Sequence, residues 1–346
     1  MSPKLKSAIK YILSVGIAIV LLYFSFRGVN WGDFWASLKE CRWGFVLLSI
    51  VFATLAIFMR GVRWQILIHS IDDTTKIVTC FNAINIGYLI NMALPRVGEL
   101  ARCGFVTNRS AVDENGRKKA SFDKVFGTVL VERSLDVLTL VVLIVVMLLF
   151  MWQRFGKFFS EEMMAPLSEK LSFNASWLVW GLIVLIVVGC WLIWKLRDKS
   201  HFCKKICDGC KGVWEGAKAC LKVKNAWLFV LATVLIWICY WLMSACTLWA
   251  VQGIDAATVG ADVVAKLHSL DLLDVLFLMI VGALSSVIPV PGGFGAFHYL
   301  VSLALLSMYG IPMQVGVIFA TLSHESQMVE QIVVGFISYV YEALKK

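Results

Sequence analysis

The sequence predicts an all-α integral membrane protein, with about six full spans plus two Pro/Gly-broken re-entrant hairpins arranged as an inverted repeat. Three observations carry this. The 346 residues are 60% hydrophobic and 16% charged, where a soluble globular chain is about 45–50% apolar and about 25% charged, and the mean hydropathy is +0.80. Several apolar runs reach the roughly 20 residues that a helix needs to cross a hydrocarbon core about 30 Å thick. Two further runs are just as apolar but are interrupted by proline and glycine.

The uninterrupted runs are 8–26, 43–59, 125–151, 176–194, 226–251 and 314–340. The first follows a basic stretch in the manner of a signal peptide, but no small-residue cleavage site comes after it, so it is read as a retained span. Charge sets the orientation, because loops rich in Lys and Arg stay in the cytoplasm. Residues 195–225 form a basic cytoplasmic loop, and 96–124 and the N-terminal lysines Lys4, Lys6 and Lys10 belong to the same side. Residues 153–175 balance their charges and 253–274 are acidic, so both lie outside. These constraints put both termini in the cytoplasm.

The interrupted runs, 77–94 and 271–310, then cannot simply cross. The first enters from the cytoplasm, breaks near "ALPRVGE" and returns; the second dips in from outside and breaks at "PVPGGFG". A span, a broken hairpin and a span (43–151) are thus followed by the inverted arrangement (226–340). Paired breaks at corresponding places in two inverted halves mark a transporter's substrate site, where irregular backbone faces a cavity. Pro95, Gly98, Pro289, Pro291, Gly292, Gly293 and Gly295 are the residues expected to break or gate the backbone.

Ionisable groups inside spans are costly and are kept for pairing or function. "NMALPRVGELAR" supplies Asn91, Arg96, Glu99 and Arg102; "VERSLD" supplies Glu132, Arg133 and Asp136; "MRGVRW" supplies Arg60 and Arg63. Guanidinium groups at a helix break suit a phosphate-bearing headgroup, which they grip in a bidentate manner. Arg60 alone reads better as an interfacial anchor. In the second half His298 follows the PGG turn, and "TLSHESQMVEQ" puts His324, Glu325, Gln327 and Glu330 into the last span. The expected binding residues are therefore Arg63, Asn91, Arg96, Glu99, Arg102, Glu132, Arg133, Asp136, His298 and His324, with Glu99 and His298 on one cavity.

Other features are bland. His201, Cys203, Cys207 and Cys210 match no standard zinc spacing and read as free thiols in a basic loop. "NAS" at Asn174 is a glycosylation acceptor only in an organism that glycosylates this way. No nucleophile elbow, Walker loop, dinucleotide fingerprint or zinc-protease helix occurs. The sequence accordingly predicts no enzyme, no cofactor, no metal and no nucleic-acid partner.

"RGVRW", "NMALPRVGELAR", "VERSLD" and "PVPGGFG", in this order over nearly the whole chain, resemble the flippase-like family that shares the membrane domain of bacterial phosphatidylglycerol lysyltransferases. The resemblance implies a stand-alone member, without the transferase domain, that moves a phosphate-bearing (glyco)lipid or aminoacyl-phospholipid across the cytoplasmic membrane. It also implies partner lipid-synthesis enzymes and leaves homo-oligomers open. The sequence departs from the family pattern at Phe297-His298, where Arg-Glu is common, and at His324, where Arg is common. Two imidazoles in place of fixed charges point to a different headgroup or a coupling proton. Two other readings stay open: a membrane-embedded transferase acting on a lipid carrier, with Glu99 or His298 as base, and a scaffold for envelope-lipid enzymes.

Overall fold

The computed structural model describes residues 3–94, 97–151, 194–196, 200, 204, 223–288 and 290–345. Among these, nearly every residue is helical and no strand occurs. The chain divides into two compact units, Met1–Val129 with Val223–Lys346, and Leu130–Lys222. The run 176–194, Asn174 and the His201, Cys203, Cys207 and Cys210 cluster lie outside the described residues, as does nearly all of the basic loop 195–225.

The described helices are α1 (Pro3–Phe26), α2 (Trp31–Glu40), α3 (Trp43–Ile68), α4 (Ile77–Ala93), α5 (Val97–Arg109) and α6 (Phe122–Phe150). After the gap come α7 (Ala226–Val251), α8 (Ala256–Val259), α9 (Ala261–Ser269), α10 (Leu272–Ser285), a 3-10 turn (Pro291–Gly293), α11 (Ala296–Tyr309) and α12 (Met313–Leu344). Among the described residues, four helices are long and apolar enough to cross a membrane, or up to six if each bent pair counts as one span. The chain is a multi-pass, all-α membrane protein. Exposed Leu47, Val51, Val230 and Val234 on α3 and α7 fit an exterior solvated by lipid.

Each run has a local reason to start and stop. α7 coincides with its apolar run 226–251. α3 outlasts its run by nine residues, to Ile68, because Arg60 and Arg63 are buried in helical packing. α10 begins at a reciprocal cap, in which Asp271 accepts from the Leu273 and Asp274 amides and Asp274 accepts from the Asp271 amide. Two short amphipathic pieces were not anticipated: α2 lies at 84° to α1, and α9 at 91° to α10. With Trp31 and Trp35 exposed, α2 has the features of a helix lying at a membrane surface.

The first interrupted run, 77–94, is α4, which the break joins to α5, and the second, 271–310, holds α10 and α11. α4 and α5 pack against each other so closely that a Cβ on Gly98 would collide with the Gly87 carbonyl oxygen. α10 and α11 are joined through the PGG turn, where Gly292, Gly293 and Gly295 all have positive φ (59°, 79° and 79°) that side-chain-bearing residues rarely adopt. α1 lies on this turn: a Cβ on Gly295 would meet Ala18 O at 2.6 Å. α12 packs against α3, α4, α7 and α11 and so connects the two pairs. Of the expected breakers, Gly98, Pro291, Gly292, Gly293 and Gly295 sit at these breaks; Pro95 and Pro289 lie outside the described residues.

Polar pins tie the ends together. Arg109 meets Glu342 at 3.0 Å, and Asn82 donates to the same carboxylate at 2.7 Å, so both limbs of the α4–α5 pair are anchored to the end of α12. Asp72, in the loop after α3, accepts from the Ser110 hydroxyl (2.5 Å), the Thr74 hydroxyl (2.6 Å) and the Ala111 amide (3.0 Å). Cys41, Cys80, Cys103, Cys239 and Cys246 are buried and form no disulfide.

Two predictions follow from this packing. Gly98→Ala drives a methyl into backbone and costs at least the roughly 1–3 kcal/mol of overpacking, whereas Gly104→Ala, with nothing within 4 Å, is neutral; thermal unfolding in detergent separates them. Burial raises the Asp72 carboxyl pKa, but the bonds from Ser110, Thr74 and Ala111 outweigh it and hold the group down at about 2. A lowered folded pKa adds stability that is full above the unfolded value near 3.8 and fades as pH falls toward about 2. Asp72→Asn should therefore lower the unfolding temperature at pH 7 by the equivalent of about 2 kcal/mol, with the gap to wild type narrowing between about pH 4 and pH 2.

Candidate functional site

A cavity of about 440 Å³ opens between the two broken pairs within the first unit. α4 and α5 contribute Tyr88, Asn91 and Glu99; α7 contributes Trp237, Tyr240 and Ser244; Ser285, Ser286, Gly292 and Gly293 come from the second break; and α12 contributes Ser323, His324, Gln327 and Gln331. The lining is amphipathic, with hydroxyls, amides and one carboxylate set among Met92, Met243, Phe297 and Phe319.

The first break shows why Asn91 stands there. Its Oδ1 accepts from the Gly98 amide at 2.7 Å, satisfying a donor at the start of α5, and its Nδ2 donates to Glu99 Oε2 at 3.3 Å. Glu99 lies in the first turn of α5, where the helix dipole favours an anion. One asparagine thus mends the broken backbone and positions the carboxylate that faces the cavity.

The second break is closed from the opposite wall. His324 Nε2 lies 2.9 Å from the Gly292 carbonyl. A carbonyl only accepts, so Nε2 carries the hydrogen. Gly293 permits this approach, since a Cβ there would come within 3.2 Å of the same nitrogen. Phe294 and Phe297 flank the ring, with centroids at 5.2 and 5.4 Å. His298, on the first turn of α11, stands behind His324 with ring centroids 5.2 Å apart and is 1% exposed. His298 and His324 thus bring α11 and α12 into ring contact beside the second break.

The remaining expected residues fall elsewhere. Arg63 and Arg102 are buried and absent from the cavity wall, and the Arg102 guanidinium stacks 4.6 Å above the Trp64 ring. Arg60, expected only to anchor, donates to the Tyr240 hydroxyl at 3.0 Å and so stands behind a lining residue. Glu132, Arg133 and Asp136 occupy the part of α6 in the second unit, where Arg133 and Asp136 pair at 3.7 Å. Arg96 lies outside the described residues. The α7 wall, with Trp237 and Tyr240, carried no sequence signal beyond its place in an apolar run.

Comparison with known proteins agrees with this architecture. The profile described as the lysylphosphatidylglycerol synthase TM region matches residues 11–335. A UPF0104 membrane protein of Pyrococcus horikoshii is 27% identical over 145 residues, a stretch that covers 41% of this chain and 41% of that protein. The aligned part is thus about two fifths of the relative's length. No solved structure matches. The matched family points to a function connected with membrane lipid.

The contacts of Asn91 generate a double-mutant test. Asn91→Asp keeps the acceptor for Gly98 but sets a second carboxylate against Glu99, so it should destabilise the protein in detergent. Adding Glu99→Gln should recover part of the loss, with a coupling of about 0.5–3 kcal/mol.

Proposed function

We propose, from the premise that this chain belongs to the lysylphosphatidylglycerol synthase TM-region family, that it is a lipid flippase or lipid-headgroup transporter of the cytoplasmic membrane with both termini cytoplasmic. Its substrate is a phosphate-bearing (glyco)lipid or an aminoacyl-phospholipid. The observation that carries this reading is a cavity lined by both breaks, with Asn91 and Glu99 from the first and Gly292, Gly293 and His324 facing them. In an inverted-repeat transporter the two breaks act as alternating gates around such a site.

The lining supports headgroup recognition. Asn91, Gln327, Gln331 and Tyr240 offer neutral hydrogen bonds suited to sugar or glycerol hydroxyls, and Glu99 suits an amine. The Arg60 guanidinium, bonded to the Tyr240 hydroxyl, strengthens that group as a donor to phosphate. The acyl chains would stay outside, against the lipid-facing helices. Lipid-synthesis enzymes are the partners that this activity implies.

Lipid translocation in proteoliposomes tests the reading, with headgroup-labelled anionic, aminoacylated and polyprenyl-phosphate lipids. Wild type should accelerate one class over protein-free vesicles, and Glu99→Gln should slow it by about tenfold or more, the equivalent of losing one charge-assisted contact of about 1.4 kcal/mol. Glu114→Gln, at an exposed loop position, should leave the rate unchanged. If every lipid stays in its leaflet while one is chemically converted in detergent, the protein is a membrane transferase instead.

A further inference from the structure

Behind the second break, two imidazoles and a carboxylate converge in a way that hydrogen bonding does not explain. Glu325 Oε2 lies 3.3 Å from His298 Nε2 and 3.5 Å from His324 Nδ1. One ligand atom from each residue falls within 4.8 Å of the other two. Charge-assisted N–H···O bonds run about 2.7–2.9 Å, so both separations are long for such bonds. Of the atoms that meet, Glu325 Oε2 and His324 Nδ1 are buried without a hydrogen-bond partner. Buried polar atoms in native structures are rarely left so.

The tautomer sharpens the problem. The Gly292 carbonyl fixes the hydrogen of His324 on Nε2, so the neutral ring turns the Nδ1 lone pair toward the lone pairs of Glu325 Oε2. Two acceptors facing each other need a positive charge between them. A proton on His324 Nδ1, with the neutral His298 ring carrying its hydrogen on Nε2, would leave both N···O separations, 3.5 and 3.3 Å, longer than charge-assisted bonds run. A cation bonded at about 2.0–2.1 Å in tetrahedral geometry closes both, because its neighbouring ligands stand about 3.3–3.4 Å apart. The bond from His324 Nε2–H to a backbone carbonyl is the outer contact by which metal-binding histidines are oriented.

We propose that His298 Nε2, His324 Nδ1 and Glu325 Oε2 bind one divalent transition-metal ion of the zinc class. Two imidazole nitrogens and one carboxylate oxygen are a ligand set suited to zinc. The fourth position is left for water or for an anionic oxygen from the cavity, which His324 lines. The ion would join α11 to α12 directly beside the PGG turn, so that the second break is held by a metal as well as by a peptide-group contact. The ligands come from two helices with no motif spacing, which is why the sequence predicts no metal.

The test uses the full chain, purified in detergent, stripped with a chelator and titrated with Co2+ alone as a visible probe, then with Zn2+ in competition. One Co2+ per chain with ligand-field bands of tetrahedral intensity is expected, displaced by Zn2+. His298→Gln and Glu325→Gln should each weaken binding by more than about tenfold. Zn2+ should raise the unfolding temperature of wild type and not of these variants. A Cys203, Cys207 and Cys210 triple Ser variant should bind as wild type does. Absence of stoichiometric binding in wild type, binding undiminished in the two Gln variants, or binding lost with the cysteines would each overturn the proposal. No lipid takes part in the titration, so its failure is separate from failure of the transport reading.

Discussion

A helix broken at membrane depth leaves peptide groups that lipid cannot satisfy, and this constraint organises the protein around its two breaks. The Gly98 amide is answered by Asn91, and the Gly292 carbonyl by His324. Both answers require backbone to come close to a side chain or to another helix, which is why glycine stands at 87, 98, 292 and 293. The side chains that mend the backbone also line the cavity. Structural repair and the candidate site are therefore the same few residues, and neither can be changed without touching the other.

The charges nearer the ends of the helices have a different task. Arg109, Asn82 and Glu342 fasten the base of the α4–α5 pair to α12, and Asp72 fastens the end of α3 to the segment after α5. At the broken tip of that pair, Gly87 and Gly98 bring the two helices into close contact and Asn91 bonds the Gly98 amide. The pair is thus pinned by charge at its base, and the Asn91 contacts to Gly98 and Glu99 lie at its other end, beside the cavity.

What the sequence conveyed follows the kind of physics involved. Long apolar runs with abrupt polar edges were legible to the residue, as in α7, because burial in lipid depends on composition alone. α3 was read short because a hydropathy window discounts arginines that packing can bury. The PGG turn was legible since only glycine takes its backbone angles, and Asn91, Glu99 and His324 were legible as polar groups beside a break. Arg63 and Arg102 looked the same on paper, yet Arg102 stacks on Trp64, a tertiary contact without a sequence signature. The meeting of His298, His324 and Glu325 was hidden for the same reason, as it depends on how α11 crosses α12.

The seat of α1 against Gly295 has a consequence for how the protein is made. About four fifths of the chain separates the two contact surfaces, and at about 5–20 residues per second a ribosome needs tens of seconds to travel between them. Throughout that interval α1 must reside in the bilayer with its docking face covered by lipid or by an insertion factor. Closing the second break is therefore among the last events of biogenesis, completed when a helix made early meets a turn made late.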